Sequence, residues 1–143
     1  MIRQALVLAA ASISLSACQS GDGEPGSGPT DAFDAIGAEE TIHFTGTEPF
    51  WGGEISGTEA RYSTPENPDG TAFAVQRFAG NNGLGFTGAI MGAPFDLTIT
   101  PGDCSDGMSD RTYPYTATLL LGGNQRNGCA YTDVQGIAGP ENP

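Results

Sequence analysis

The chain has 143 residues, a formal net charge of −12 and an isoelectric point near 4.1, and its five basic residues are all arginine. That balance excludes nucleic acid and anionic headgroups as electrostatic partners; it suits a cationic protein partner, or serves solubility alone. With 22 glycines and 10 prolines, the composition excludes a helical bundle and points to short strands joined by turns.

The first element is an export signal. Arg3 and the amino terminus form a short basic region, and residues 5–17 are apolar or small, a stretch too short to span a bilayer as a permanent helix. Leu15-Ser16-Ala17-Cys18 resembles a bacterial lipobox, which implies cleavage after Ala17 and lipidation of Cys18. Loss of residues 1–17 leaves 126 residues with four arginines against 17 carboxylates, a formal −13, in one small domain. Residues 18–40 are assigned to the anchor cysteine and a tether. Residues 19–30 are Gly-, Pro- and Ser-rich, and a tether of about twenty residues has a mean reach of roughly 25 Å. Within it, Asp31 is positioned to cap one helical turn that places Phe33 and Ile36 on one side, with Gly37 ending it. Gln19 follows the anchor cysteine, and by resemblance to enterobacterial sorting the expected address is the outer membrane, facing the periplasm.

From Thr41 onward alternation dominates, and residues 41–139 are assigned to the folded domain, with 140–143 a tail. Expected strands cover residues 41–46, 51–56, 59–63, 71–78, 84–90, 94–100, 115–121 and 125–131. The Thr64–Gly70 segment, with Pro65, Pro68 and Asp69-Gly70, reads as a loop, and Gly122-Gly123-Asn124 as a tight hairpin. Phe95, Leu97 and Ile99 alternate with Asp96, Thr98 and Thr100, which gives that strand one wet face. The expected fold is all-β: an antiparallel meander of about eight strands, closed or nearly closed into a small barrel, with a two-sheet sandwich as the rival. In an exported protein the remaining cysteines, Cys104 and Cys129, form a disulfide by default. In a meander both fall at one end, and the Gly46–Phe50 turn at the other.

Two segments concentrate the informative residues. They are Thr45-Gly46-Thr47-Glu48-Pro49-Phe50-Trp51 and Cys104-Ser105-Asp106-Gly107-Met108-Ser109-Asp110-Arg111-Thr112-Tyr113-Pro114-Tyr115, the latter followed by Gly128-Cys129. Together they resemble the "TGTEPFW" and "DGMSD-x-x-YPY" signatures, with a following "GC" pair, of a family of small bacterial envelope proteins, often lipoproteins. The resemblance covers roughly Phe44 to Ala130 and implies an exported β-rich domain; it carries no activity. More distantly, the architecture is similar to the heat-shock-associated META domain and to small β-barrel lysozyme inhibitors. The inhibitors' Ser-Gly-x-x-Tyr loop is not matched: Ser56-Gly57 precedes Tyr62 at the wrong spacing.

Read physically, Trp51 either plugs the mouth of the core or forms a binding platform with Phe50 and Glu48. Glu48, if buried, needs Arg61 or Arg111 as partner; if exposed, it caps its turn. Asp103, Asp106 and Asp110 around Gly107 lack the alternating spacing of a calcium loop. The expectation is therefore an Asx-turn at Asp106, with Arg111 neutralising Asp110 and no metal. Tyr113-Pro114-Tyr115 sets an extended start to the seventh strand and packs one ring against the disulfide. His43 is the sole histidine, and two cysteines with one distant histidine make no zinc set. With no nucleophile elbow, no catalytic residue and no cofactor are expected. The expected function is a non-catalytic binding or inhibitory module, held to the membrane by its lipid and directed at a cationic partner. A structural or stress-related envelope protein is the alternative.

Overall fold

The computed structural model describes residues 31–140. Eight strands follow in order: β1 (Ile42–Gly46), β2 (Trp51–Ser56), β3 (Glu59–Thr64), β4 (Asn67–Ala79), β5 (Leu84–Ile90), β6 (Ala93–Ser105), β7 (Thr112–Leu121) and β8 (Asn124–Thr132). Each pairs antiparallel with its neighbour in sequence, and β1 pairs with β8 to close the barrel. Closure removes the unpaired edges that an open eight-stranded meander would expose. The lipobox and Cys18 lie outside the described residues.

The period-two pattern explains the closed form. Phe44, Trp51, Phe86, Phe95, Leu97, Ile99 and Leu119 point inward and are buried, while alternate positions on these strands, among them His43, Glu54, Asp96 and Thr98, face water. This apolar-in, polar-out arrangement is the inverse of a membrane-spanning barrel. Room for the large rings comes from glycine. Gly46 stands opposite Trp51 in the β1–β2 pair, and a Cβ there would fall 1.9 Å from the indole Nε1. At Gly53 a Cβ would meet the Arg61 carbonyl at 2.0 Å and the Phe44 ring at 2.7 Å. The glycine of the first motif is thus required by its tryptophan.

At one end the hairpins are tight. Ile90 pairs with Ala93 and Leu121 with Asn124, leaving the two-residue turns Met91-Gly92 and Gly122-Gly123. All four residues have positive φ, the condition for a turn whose twist matches the flanking strands. The opposite end is stoppered by residues 31–40. The expected helical turn does not form there, and Ile36 is not part of a free tether: it is 2% exposed and belongs to the core. Three contacts fix it: Arg77 Nη2 donates to the Ile36 carbonyl at 2.7 Å, Gln135 Nε2 to the Ala35 carbonyl at 2.8 Å, and Phe33 N–H to the Gly80 carbonyl at 2.8 Å. The gap left beside this stopper is about 10 Å³, no more than one water occupies.

Three strand boundaries differ by more than one residue from the sequence expectation. Pro68 and Asp69-Gly70 do not form a loop; they lie inside β4, where the register shift between Tyr62 and Thr64 accommodates them. β6 continues past Pro101 and Gly102 to Ser105 through a second shift between Pro101 and Cys104, and β7 begins at Thr112 rather than Tyr115.

Candidate functional site

The two dense segments meet. Parity alone puts the Gly46–Phe50 turn and the disulfide at opposite ends, but the structure brings them side by side. β1 is only five residues long, and in its register with β8 Thr45 faces Cys129 and Gly46 faces Gly128. Closing a barrel staggers its strands, so the end of β1 lies midway along β8. The other segment reaches the same place from the far side. β6 and β8 flank β7, which would set them about 9–10 Å apart in a flat sheet. Yet the Cα atoms of the Cys104–Cys129 bridge are 5.6 Å apart. The bulge after Pro101 therefore bends the end of β6, still paired with β7 through Cys104–Tyr113 and Ser105–Thr112, towards β8.

Between these segments lies an open groove of about 360 Å³. Its walls carry Thr45 and Thr47 from the first motif, Ser105 and Asp106 from the second, and Thr116 and Asn127 from β7 and β8, with the disulfide at its floor. The threonines follow from register: Thr100 pairs with Thr116, Thr116 with Cys129, and Cys129 with Thr45, all outward positions. The Thr100 and Thr116 hydroxyls share a hydrogen bond. Sequence reasoning did not single out Thr116 or Asn127, although Thr116 and Thr118 alternate with buried Tyr115, Ala117 and Leu119 and so had to face out.

Asp106 organises the hairpin tip. Its Oδ1 accepts the backbone N–H groups of Met108 and Ser109 at 2.9 and 2.8 Å; its Oδ2 accepts the Ser109 hydroxyl at 2.8 Å and the Tyr113 hydroxyl at 3.3 Å. This is the expected Asx-turn, and the carboxylate's acceptor sites are spent on it. The Met108 and Ser109 amides, then the serine hydroxyl, hold the carboxyl at about 2, below its ordinary value of 3.8. Burial, then the Asp106 charge, pushes the Tyr113 phenol up. Because the folded carboxyl titrates below its unfolded value, the stability it lends is complete above about pH 4 and is lost as pH falls through about 2. Asp106→Asn should therefore melt below the parent at pH 6 and converge with it near pH 2. Parallel melting curves across that range would refute the assignment.

The other expected residues fall into two groups. Tyr113 lies against outward-facing Tyr131, with ring centroids 6.1 Å apart, and Tyr131 stacks on His43 at 4.9 Å. Tyr115 instead turns inward, where its hydroxyl donates to Gln135 Oε1 at 2.6 Å and ties β7 to the stopper. Trp51 is 3% exposed, sealed over Gly46 with Phe44 at 5.9 Å and Tyr62 at 6.5 Å, so the platform reading is corrected: the indole is a plug. Phe50, 50% exposed, and Glu48, also exposed, stand outside it beside a shallow hollow that Phe50 lines with Pro65 and Pro68. The expected Asp110–Arg111 pair is not formed, and Glu48, being exposed, is not held by an arginine among the described residues. Among the described residues the one salt bridge joins His43 Nδ1 and Glu54 at 3.7 Å. Arg61 donates to the Asp69 carbonyl at 3.2 Å rather than reaching Glu48, and Arg111 does not pair with Asp110. In water such exposed pairs are worth about 0–1 kcal/mol, too little to hold long side chains in place.

No protein-family model, curated protein or solved structure matches this chain.

Proposed function

We propose that this chain is a lipid-anchored protein of the bacterial cell envelope, attached through Cys18 to the outer membrane on its periplasmic side, and that its barrel is a non-catalytic binding module for a cationic protein. One observation carries the binding reading: segments some sixty residues apart in sequence converge on a single concave groove. The disulfide and the Asp106 turn hold that groove rigid within a strongly acidic body. Prepaid order of this kind reduces what binding must cost. The leader and lipobox support the address, and the resemblance of both segments to envelope-protein signatures supports it further.

Mass spectrometry of the native protein should show cleavage after Ala17 and an acylated Cys18. The full-length protein should capture basic probe proteins (lysozyme and cytochrome c) with different affinities, each weakening as salt rises. Thr116→Arg, which places a cation and bulk in the groove, should abolish capture, whereas Thr116→Val, which loses the same hydroxyl bond to Thr100 without adding charge, should retain it.

A structural role is the second reading, favoured by the way Asp106, Trp51 and Tyr115 spend their groups inside the fold. Capture unchanged in Thr116→Arg would select it.

A further inference from the structure

Each end of the barrel carries an inward-facing arginine, and among the described residues only one of them is covered. At the stoppered end Arg77 donates to the Ile36 carbonyl. At the other end Arg126, opposite buried Leu119 in the β7–β8 register, is half-buried and has no carboxylate within salt-bridge distance among the described residues. Its Nη1 donates to the Tyr62 hydroxyl at 2.7 Å. That hydroxyl accepts from Arg126, and its own proton has no acceptor among the described residues. Two donors therefore meet at the Tyr62 hydroxyl, the chemistry of an oxyanion receptor.

Arg126 does not itself line the space beside this pair; Tyr62 does, and it joins the pair to a mostly apolar wall that Thr64, Asn67 and Thr71 interrupt. Tyr62, Thr71, Ile90, Ala93 and Leu121 line an open hollow of about 270 Å³, with Met91 on its lip. Met91 is 93% exposed and held at positive φ (49°), so the turn presents its thioether at the rim. Met side chains suit surfaces that must adapt to an apolar partner. The volume lies just below the usual range of about 300–1,000 Å³ for ligand pockets, which restricts the occupant to a small molecule. Below the hollow, Tyr62, Phe73 and Phe95 pack edge to face and close the interior.

From this juxtaposition we propose that the open mouth binds a medium-chain alkyl carboxylate head-first. Arg126 and the Tyr62 hydroxyl hold the carboxylate, and the chain lies along Ile90, Ala93 and Leu121. The guanidinium fork matches a carboxylate, and a low-dielectric wall strengthens the pairing. The site is separate from the outer groove, so it stands or falls independently of the cationic-partner reading.

The test uses the full chain carrying Cys18→Ser, so that no acyl group of its own competes. Trp51 is the single tryptophan and stacks on Tyr62, so its fluorescence reports on the mouth, with calorimetry as a second readout. Decanoate should bind saturably and at least about tenfold tighter than decanol or decyltrimethylammonium, and acetate should not compete. Arg126→Gln should weaken decanoate about tenfold or more and leave decanol unchanged, whereas Arg126→Lys should retain the preference for carboxylate. Equal binding of the three decyl probes, competition by acetate as strong as by decanoate, or no saturable binding in either readout would overturn the proposal. Should Arg126→Gln fail to fold, the probe series on the otherwise unaltered chain decides alone.

Discussion

Trp51→Ala should destabilise the barrel by about 3–5 kcal/mol, the usual cost of deleting a buried indole. For a small domain with a net stability of about 5–15 kcal/mol, that removes a large share. The cause is local and can be isolated. The indole lies against Phe44 and Tyr62 and fills the space above Gly46, where the nearest atoms to a new Cβ all belong to Trp51. Gly46→Ala alone should therefore also destabilise, because either the ring or the strand must move. In a Trp51→Ala background the same glycine substitution should cost little or nothing, since the obstructing atoms are gone. Urea denaturation followed by circular dichroism measures all three variants. Additive effects would show that the two residues do not share one space.

The second large effect belongs to the disulfide. Cys104 and Cys129 are separated by 25 residues, and opening a loop of that length costs about 3.5 kcal/mol on the chain-entropy argument. Replacing both cysteines with alanine should lower stability by about that amount. It should also release the hairpin tip around Asp106 from β8, since the bridge joins the two across the groove floor. Faster amide exchange at residues 104–113, with protection retained in β2 through β5, is the expected pattern. Uniform loss of protection throughout the barrel would show instead that the bridge supports the whole fold.

The barrel was legible in the sequence because alternation is a local property. Phe95-Asp96-Leu97-Thr98-Ile99-Thr100 declares its inner and outer faces without reference to any other segment, and enough such runs in series leave closure as the way to hide the edges. The disulfide followed from cysteine arithmetic, and the Asx-turn from the short-range habits of aspartate. What stayed hidden depends on partners distant in sequence. Ile36, between Ala35 and Gly37, shares only a helical spacing with Phe33, and only the far-off Arg77 and Gln135 make it a stopper. Pro101-Gly102-Asp103 reads as the end of a strand, whereas the structure uses these residues to bend one. The meeting of the two motifs depends on barrel stagger, which parity does not encode: alternation says which way a strand runs, not how far its neighbour has slid along it. Arg126 was passed over because a charged residue between Gln125 and Asn127 looks like solvent-facing surface until β7 fixes its register.

The stopper has a geometric corollary. The described chain begins at this end, and after β8 it returns there, where Ala138 bridges to Thr112 and Thr132 bonds to Glu40. The two ends of the described segment, residues 31 and 140, thus lie at the same pole, and among the described residues none covers the other. A particle, dye or second domain joined directly at residue 31 or 140 would hang from the base of a cup, away from its rim.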